Sequence, residues 1–158
     1  TEDGHGATVL DLLPQELQKQ GLFPVGRLDK DTEGLLLITN DGELAHLLLS
    51  PKRHVDKTYL VHLAKSIDEE SLKKLSEGVD IGEEELTLPA NVVKVDDKII
   101  HLTIHEGKFH QVKRMFEKID NSVTYLKRIQ IGKLSLDEDL PLGEVKELSE
   151  GDLELLWI

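Results

Sequence analysis

The chain has 158 residues, 39% of them hydrophobic and 32% charged, a composition typical of a folded protein with its own core. It contains no cysteine, so disulfides and thiolate metal sites are excluded, and we expect a reducing, cytoplasmic location. No apolar run approaches the ~18 residues of a membrane-spanning helix, and the net charge of −12 argues against a general affinity for nucleic acid.

The first half of the chain predicts two helices that flank a charged turn and a strand. Residues 8–17 predict a helix capped by Thr8. The continuous apolar run at 35–39 predicts a buried strand. Asn40 and Glu43 have the spacing of a capping box, which predicts a helix that begins at Asn40 and ends near residue 50.

The second half mixes strands and helices without a strict strand–helix–strand rhythm. It predicts a strand at 57–64, a helix at 68–77, a hairpin of strands at 91–95 and 99–105, a helix after Gly107, strands at 123–131 and 134–136, and a closing helix at 149–158. In the second hairpin strand, Ile100, Leu102 and Ile104 share one face, which we expect to be buried. The pattern favours an α+β fold around a largely antiparallel sheet.

The basic residues are unevenly spread along the chain. Residues 108–133 contain seven basic and two acidic side chains, a net charge of +5, so the remainder carries −17. One interpretation is a segregated basic patch that contacts phosphates. The other is a solvated acidic surface with one mixed helix, and charge alone does not separate the two.

The first candidate for chemistry is the charged, glycine-bounded segment at 26–34, directly before the predicted buried strand. Such a loop can hold a carboxylate at the rim of a cleft. Asp29 stands between Arg27 and Lys30, and nearby positive charge favours the ionised carboxylate. A polar turn closed by an ion pair is the alternative, and the physics of this segment by itself favours that alternative.

The second candidate is Tyr59, which follows Lys57 at the start of a predicted strand. A tyrosine in this position is usually packed in the core with its hydroxyl satisfied. It can also offer its ring face to a nucleobase and its hydroxyl to a proton transfer.

Residues 106–115 form the third candidate, a glycine turn followed by a helix with basic residues. Gly107 permits a tight turn, and amides at a helix N-terminus favour anions. Lys108, Lys113 and Arg114 add positive charge for phosphates or for a carboxylate partner. A helix with a solvated basic side explains the same residues equally well.

No metal or nucleotide-cofactor motif accompanies these segments. The chain has seven histidines, but His101 and His105 are four apart on a predicted strand rather than on a helix. There is no glycine-rich nucleotide loop and no metalloprotease or serine-hydrolase motif. We therefore expect neither a metal site nor a cofactor.

Together the three segments resemble the catalytic motifs of the pseudouridine synthase family. The likeness lies in Gly26-Arg27-Leu28-Asp29 with the residues that follow to Gly42, in Lys57-Thr58-Tyr59-Leu60-Val61, and in Glu106-Gly107-Lys108 with His110-Gln111-Val112-Lys113-Arg114-Met115. Their order and separations agree over essentially the whole chain. The resemblance implies a largely antiparallel central sheet flanked by helices, with a cleft across it. It also implies an enzyme that isomerises uridine in RNA without a metal or organic cofactor.

The resemblance implies roles for individual residues as well. Asp29 would be the catalytic aspartate, acting as a nucleophile on the uridine or as the base that abstracts a ribose proton. Tyr59 would line the base and assist removal of the ring proton. Lys113 would be the basic partner of the catalytic carboxylate, so we expect it near Asp29. The further residues expected to contact RNA are Arg27, Lys57, Lys108, His110, Gln111 and Arg114.

Within the family, residues 110–116 and Leu88-Pro89-Ala90 resemble the branch that modifies the 16S RNA of the small ribosomal subunit, at the position-516 type of uridine. The same reaction on 23S RNA is one alternative. An RNA-binding module without catalysis is another, and the intact Asp29, Tyr59 and Lys113 argue against it.

The resemblance also bears on domain organisation. We expect residues 1–158 to form one catalytic domain that acts as a monomer. The family's first strand and a small basic RNA-binding domain of the S4 type would lie before Thr1. Because the chain itself is acidic, we expect it to bind RNA poorly without that domain.

Overall fold

The structure is a computed structural model that describes residues 9–50, 53, 55–106 and 110–157. A short 3₁₀ helix at Val9–Leu12 precedes the helices α1 (Gln15–Gln18), α2 (Gly42–Leu49), α3 (Glu69–Glu77), α4 (Gln111–Lys118) and α5 (Glu150–Leu155). The strands are β1 (Phe23–Pro24), β2 (Glu33–Gly34), β3 (Ile38–Thr39), β4 (Lys57–Leu63), β5 (Asn91–Asp96), β6 (Ile99–Ile104), β7 (Val123–Ile131) and β8 (Leu134–Ser135).

One sheet organises most of these strands. They lie in the order β2-β7-β4-β6-β5, with β8 paired to β7. β4 is antiparallel to both of its neighbours, β6 and β7, whereas β2 runs parallel to β7. β1 and β3 form a separate antiparallel ribbon. The predicted α+β fold around a largely antiparallel sheet is confirmed.

The main core lies between one face of this sheet and the helices α3 and α4. Val61, Ile100 and Leu102 of the sheet are fully buried together with Leu75 of α3 and Phe116 of α4. The predicted burial of the Ile100 face is therefore confirmed. Each buried aliphatic side chain stabilises the fold by roughly 1.5–3 kcal/mol, so this face also fixes the register of the strands that carry the site.

A second core packs the segment around β1 and β3 against the C-terminal elements. Val25 and Leu37 belong to the same buried cluster as Ile131 of β7 and Leu156, which follows α5. β7 runs through both cores, because its Leu126 belongs to the main core and its Ile131 to the second. The two clusters are separate, and the space between them opens a cleft.

Two local expectations around α2 are wrong. The strand predicted at 35–39 is split, because the chain leaves the β7 ladder after β2 and pairs with β1 only at β3. The N-cap of α2 is Asp41 rather than Asn40. Asp41 Oδ1 accepts a hydrogen bond from the Leu44 amide at 3.1 Å, whereas the Asn40 side chain donates to the Gln20 carbonyl.

The two ends of the chain agree with the sequence in part. The helix predicted at 8–17 is a 3₁₀ turn followed by α1, and its predicted cap, Thr8, lies outside the described residues. The closing helix begins after Ser149, as expected, and its N-terminus forms a capping box that was not predicted. Ser149 Oγ accepts from the Asp152 amide at 3.2 Å, and Asp152 Oδ2 accepts from the Ser149 amide at 3.0 Å.

Gly34 allows β2 to approach β7 closely. Its φ of 114° suits glycine, and a Cβ at this position would overlap the Arg128 carbonyl. We expect Gly34→Ala to destabilise the fold by at least about 1–3 kcal/mol, because backbone strain and overlap add. Denaturant unfolding measures this. Gly42→Ala is the control, since a Cβ on Gly42 meets nothing within 4 Å. Equal unfolding midpoints for the two variants would contradict the prediction.

Candidate active site

A cavity of about 570 Å³ opens between the two cores. Its walls come from the loop after β1, from β4 and β7, from the end of β6 and from the start of α4. This volume is in the range of sites that hold a small molecule. The three segments singled out in the sequence therefore meet at one cleft across the sheet.

Asp29 lies on a short turn in the wall of this cavity. The turn begins at Gly26, whose φ is 81°, after Val25 has donated its amide to the Leu37 carbonyl at 2.8 Å. It closes where the Thr32 amide donates to the Asp29 carbonyl at 2.9 Å. The Asp29 side chain is 29% exposed, so the carboxylate is held by the turn yet reaches the cavity.

His110 is the described residue that approaches the Asp29 carboxylate. Its Nε2 lies 3.5 Å from Asp29 Oδ1. His110 adopts a left-handed backbone conformation, with φ 48° and ψ 36°, at the N-cap of α4. That conformation is uncommon for a residue other than glycine. His110 was predicted as an RNA contact, and its place beside the carboxylate follows from a backbone conformation that the sequence does not indicate.

Tyr59 lies on β4 at the floor of the cavity. Its ring is half-buried against the main core and also lines the cavity. Its hydroxyl makes no hydrogen bond with the described residues. The side chain therefore combines a packing role with a polar group that is open to a ligand.

Lys113 pairs with Asp31 and not with Asp29. Its ammonium donates to the Asp31 carboxylate, and this hydrogen bond holds the pKa of Asp31 below its ordinary value. In the described residues the ion pair of Lys113 is therefore with Asp31, two positions after the carboxylate for which it was expected. Asp31 is 74% exposed, whereas Asp29 is 29% exposed. An ion pair with Asp31 therefore costs the lysine ammonium less desolvation than an ion pair with Asp29 would. The pair ties the loop that carries Asp29 to α4.

This chain is similar to known proteins in sequence as well as in architecture. A family model described as RNA pseudouridylate synthase matches residues 2–118. An RNA pseudouridine synthase of Bacillus subtilis is 52% identical over 160 residues, which cover 99% of this chain and 67% of that protein. The chain belongs to the RNA pseudouridylate synthase family. Members of this family are isomerases that act on RNA.

Other relatives agree with this pseudouridylate synthase assignment. The ribosomal small subunit pseudouridine synthase A of Vibrio cholerae is 46% identical over 99% of this chain and 68% of that protein. A solved pseudouridylate synthase structure, 43% identical, covers 94% of this chain and 65% of its own with a TM-score of 0.91. The predicted pseudouridine synthase fold is therefore confirmed. An archaeal Nop10–Cbf5 complex, 16% identical with a TM-score of 0.57, shares the fold alone. The chain spans about two thirds of the length of its similar relatives.

Two residues of this pseudouridylate synthase that were predicted to contact RNA make hydrogen bonds within the protein. Gln111 is buried, and its amide donates to Glu106 Oε1 at 2.9 Å. Arg114 donates to Glu83 Oε1 at 3.0 Å and to the Ile81 carbonyl, and it does not line the cavity. Both side chains therefore hold loops around the site.

The other predicted RNA contacts have different surroundings. Arg27 is exposed at the rim of the cavity and makes no hydrogen bond or ion pair with the described residues. Lys57 lines the cavity on β4, near Tyr59. Lys108 lies outside the described residues, as does Gly107.

Two further features of the cavity were not predicted. Arg128 of β7 is 4% exposed; its Nε donates to the Leu35 carbonyl at 2.8 Å, and its Nη2 has no partner among the described residues. His105 also lines the cavity, and its Nδ1 lies 2.5 Å from Asp56 Oδ1. The sequence signal for Arg128 is strand alternation, which places it on the same face as the buried Leu126.

The described ranges carry no metal-binding cluster, since no three His, Asp or Glu side chains in them are placed to hold an ion. No helix in these ranges is long and apolar enough to cross a membrane.

Proposed function

We propose that this chain isomerises uridine to pseudouridine in 16S ribosomal RNA, at the position-516 type of uridine. The observation that carries the proposal is that Asp29 and Tyr59 line one cavity. A carboxylate can attack or deprotonate the ribose, and an aromatic ring gives the base a surface on which to stack. Two Vibrio relatives named ribosomal small subunit pseudouridine synthase A, 46% and 47% identical, support the 16S substrate.

The uridine enters this cavity outside the RNA stack, because its glycosidic bond is otherwise out of reach. Extrusion costs a few kcal/mol. Arg27 at the rim is placed to contact the phosphates of the opened strand. Once inside, the base stacks on the Tyr59 ring with its ribose toward Asp29.

The reaction then needs only rearrangement within the nucleotide. Asp29 bonds to C1′ or removes the C2′ proton, and the N1–C1′ bond breaks. The freed uracil turns on the Tyr59 ring, and C5 bonds to C1′. In the same step the Asp29–C1′ bond breaks, or Asp29 returns the proton to C2′, so that the carboxylate is restored. The C5 proton leaves with the help of the Tyr59 hydroxyl, and N1 gains a proton. Product and substrate contain the same atoms, so the chemistry requires no further reactant.

Lys113 is proposed to act through the loop that carries Asp29. We expect Lys113→Met and Asp31→Asn each to slow isomerisation by roughly 10- to 100-fold, because either change frees the same loop and misplaces the carboxylate. The double variant should be no slower than either single one. Single-turnover rates of the wild type, the two single variants and the double variant give the coupling energy between Lys113 and Asp31. A Lys113→Met rate far below that of Asp31→Asn would instead mean that Lys113 acts directly on Asp29 or the substrate.

The direct test of the proposed function is to treat unmodified 16S and 23S RNA with the purified protein and to map pseudouridine in both. We expect one modified uridine in 16S RNA and none in 23S RNA. Modification of 23S RNA alone would assign the enzyme to the large subunit. Binding to RNA without any modification would favour an RNA-binding module that lacks catalysis.

We also propose that residues 1–158 form the monomeric catalytic domain and that a basic region of the S4 type supplies general RNA affinity. The net charge of −12 and the engagement of Lys113 and Arg114 in ion pairs leave few basic groups for phosphates. We expect the chain joined to such a region to bind 16S fragments more tightly and with a steeper salt dependence. Equal affinity and equal salt slope with and without it would contradict this.

A further inference from the structure

The floor of the cavity carries two positive charges beside Tyr59. Tyr59 and Arg128 are Cα partners on the neighbouring strands β4 and β7. Lys57 lies two residues before Tyr59, and both Lys57 and Arg128 line the cavity. An ammonium and a guanidinium therefore lie next to the ring on which the base is proposed to stack.

Neither cation is neutralised by a carboxylate in the described part of the chain. Arg128 is 4% exposed, and its hydrogen bond from Nε to the Leu35 carbonyl leaves Nη2 without a partner there. Lys57 makes no hydrogen bond or ion pair with the described residues. A buried charge without a partner is costly, so the arrangement calls for a ligand that supplies negative charge.

The two acids whose charges act on Lys57 have other partners. Asp56 lies 2.5 Å from the His105 ring, and Glu106 Oε1 accepts two hydrogen bonds from the protein at 2.7 and 2.9 Å. Burial, followed by the charge of Arg128, lowers the pKa of Lys57, and the two acids only partly oppose this. Because both acids are engaged by other groups, Lys57 and Arg128 can direct their charge at a ligand in the cavity.

We propose that Lys57 and Arg128 stabilise the negative charge that develops on the uracil ring when its bond to the ribose breaks. This inference rests on the proposed isomerase function and adds an electrostatic role to its first chemical step. A phosphate is the less suitable partner, because the backbone of an extruded nucleotide stays at the rim, near the exposed Arg27, while the base reaches the floor.

The charge arises and disappears within the reaction. When the N1–C1′ bond breaks, its electron pair stays with the ring and spreads over N1, O2 and O4. This holds whether Asp29 bonds to C1′ or removes the C2′ proton. The ring becomes neutral again when C5 bonds to C1′; the C5 proton then leaves and N1 gains one. Fixed donors directed at such transient charge commonly accelerate a reaction by about 10²- to 10³-fold each.

The first test compares single-turnover isomerisation with RNA binding in Lys57→Met, which keeps the length of the side chain and removes its charge. We expect the rate at saturating RNA to fall by roughly 10²- to 10³-fold. The Kd for RNA should stay within about threefold of the wild type, because the ring is neutral before the bond breaks. Arg128→Gln should likewise lower the rate at saturating RNA and leave the Kd for RNA unchanged. If Arg128→Gln does not fold, the result for Lys57→Met alone tests the inference.

Lys74→Met is the matched control. Lys74 is an exposed lysine of α3 that pairs with Glu70 and does not line the cavity, so its replacement should leave rate and affinity unchanged. A Lys57→Met protein with weaker RNA binding and an unchanged saturating rate would overturn the inference, because Lys57 would then hold a phosphate.

The second test needs no turnover. At neutral pH barbiturate presents the same ring as uracil in an anionic form, whereas uracil is neutral. We expect calorimetry to show at least roughly tenfold tighter binding of barbiturate than of uracil to the wild type, and loss of that preference in Lys57→Met. Equal affinities in the wild type would overturn the inference even if the protein forms pseudouridine. A preference for barbiturate without pseudouridine in any RNA would overturn the proposed function and leave the cationic floor supported.

Discussion

Asp29→Asn is expected to abolish pseudouridine formation while the protein stays folded. Asparagine keeps the size of the side chain but can neither bond to C1′ as a carboxylate nor take the C2′ proton. Loss of a group that reacts with the substrate commonly costs on the order of 10⁴-fold or more in rate. Folding should change little, because the turn is held by backbone hydrogen bonds at Val25 and Thr32 rather than by the carboxylate.

Tritium release from RNA that carries uridine labelled at C5 measures this loss directly, because the C5 hydrogen leaves in the reaction. Asp31→Asn is the control for a neighbouring change of charge and should retain roughly 1–10% of the wild-type rate. Thermal unfolding checks that both variants remain folded. An Asp29→Asn protein with turnover near that of the wild type would remove Asp29 from the chemistry.

Much of the framework that carries the site follows from local patterns in the sequence. The alternation of Ile100, Leu102 and Ile104 predicts which face of β6 is buried, and the structure confirms it. The glycine-bounded loop around Asp29 and the strand that begins at Lys57 are short segments whose local geometry is strongly constrained. Their meeting at one cavity follows once the sheet forms, because β4 and β7 lie beside each other at its centre.

The partners of the long side chains at the site do not follow from the sequence. Lys113 was expected at Asp29 and binds Asp31, while Gln111 and Arg114 turn towards Glu106 and Glu83. Long side chains at the start of a helix can reach several neighbouring residues. Which of these becomes the hydrogen-bond or ion-pair partner depends on how the surrounding loops pack. Lys113 pairs with the more exposed of the two aspartates, and exposure is a property of the folded chain.

The net positive charge of the segment 108–133 does not mean that its basic residues form one surface patch. Successive residues of a strand point to opposite faces. Arg128 therefore lines the cavity, whereas Lys127 lines a different cavity beside β2. Lys113 and Arg114 are already in ion pairs. The positive charge is thus divided among separate places, and its most buried member lies where the base is proposed to bind.

Tyr59→Phe is expected to keep RNA binding and to lose most activity. The substitution removes only the hydroxyl and retains the ring that packs on the main core, so stacking of the base should be unaffected. If the hydroxyl assists removal of the C5 proton, the rate of that step should fall by roughly 10²- to 10⁴-fold, the usual contribution of a positioned acid or base. The hydroxyl is free to do so, because it makes no hydrogen bond with the described residues.

Tyr125→Phe is the matched control, since Tyr125 is the other of the two tyrosines in the chain. Its hydroxyl donates to Glu33 Oε2 at 2.8 Å and does not line the cavity, so this variant should lose about 1 kcal/mol of stability and keep its rate. Filter binding and single-turnover tritium release separate affinity from chemistry in both proteins. A wild-type rate in Tyr59→Phe would leave the ring as a stacking platform alone. In that case Tyr59→Leu should weaken RNA binding, because it removes the surface on which the base lies.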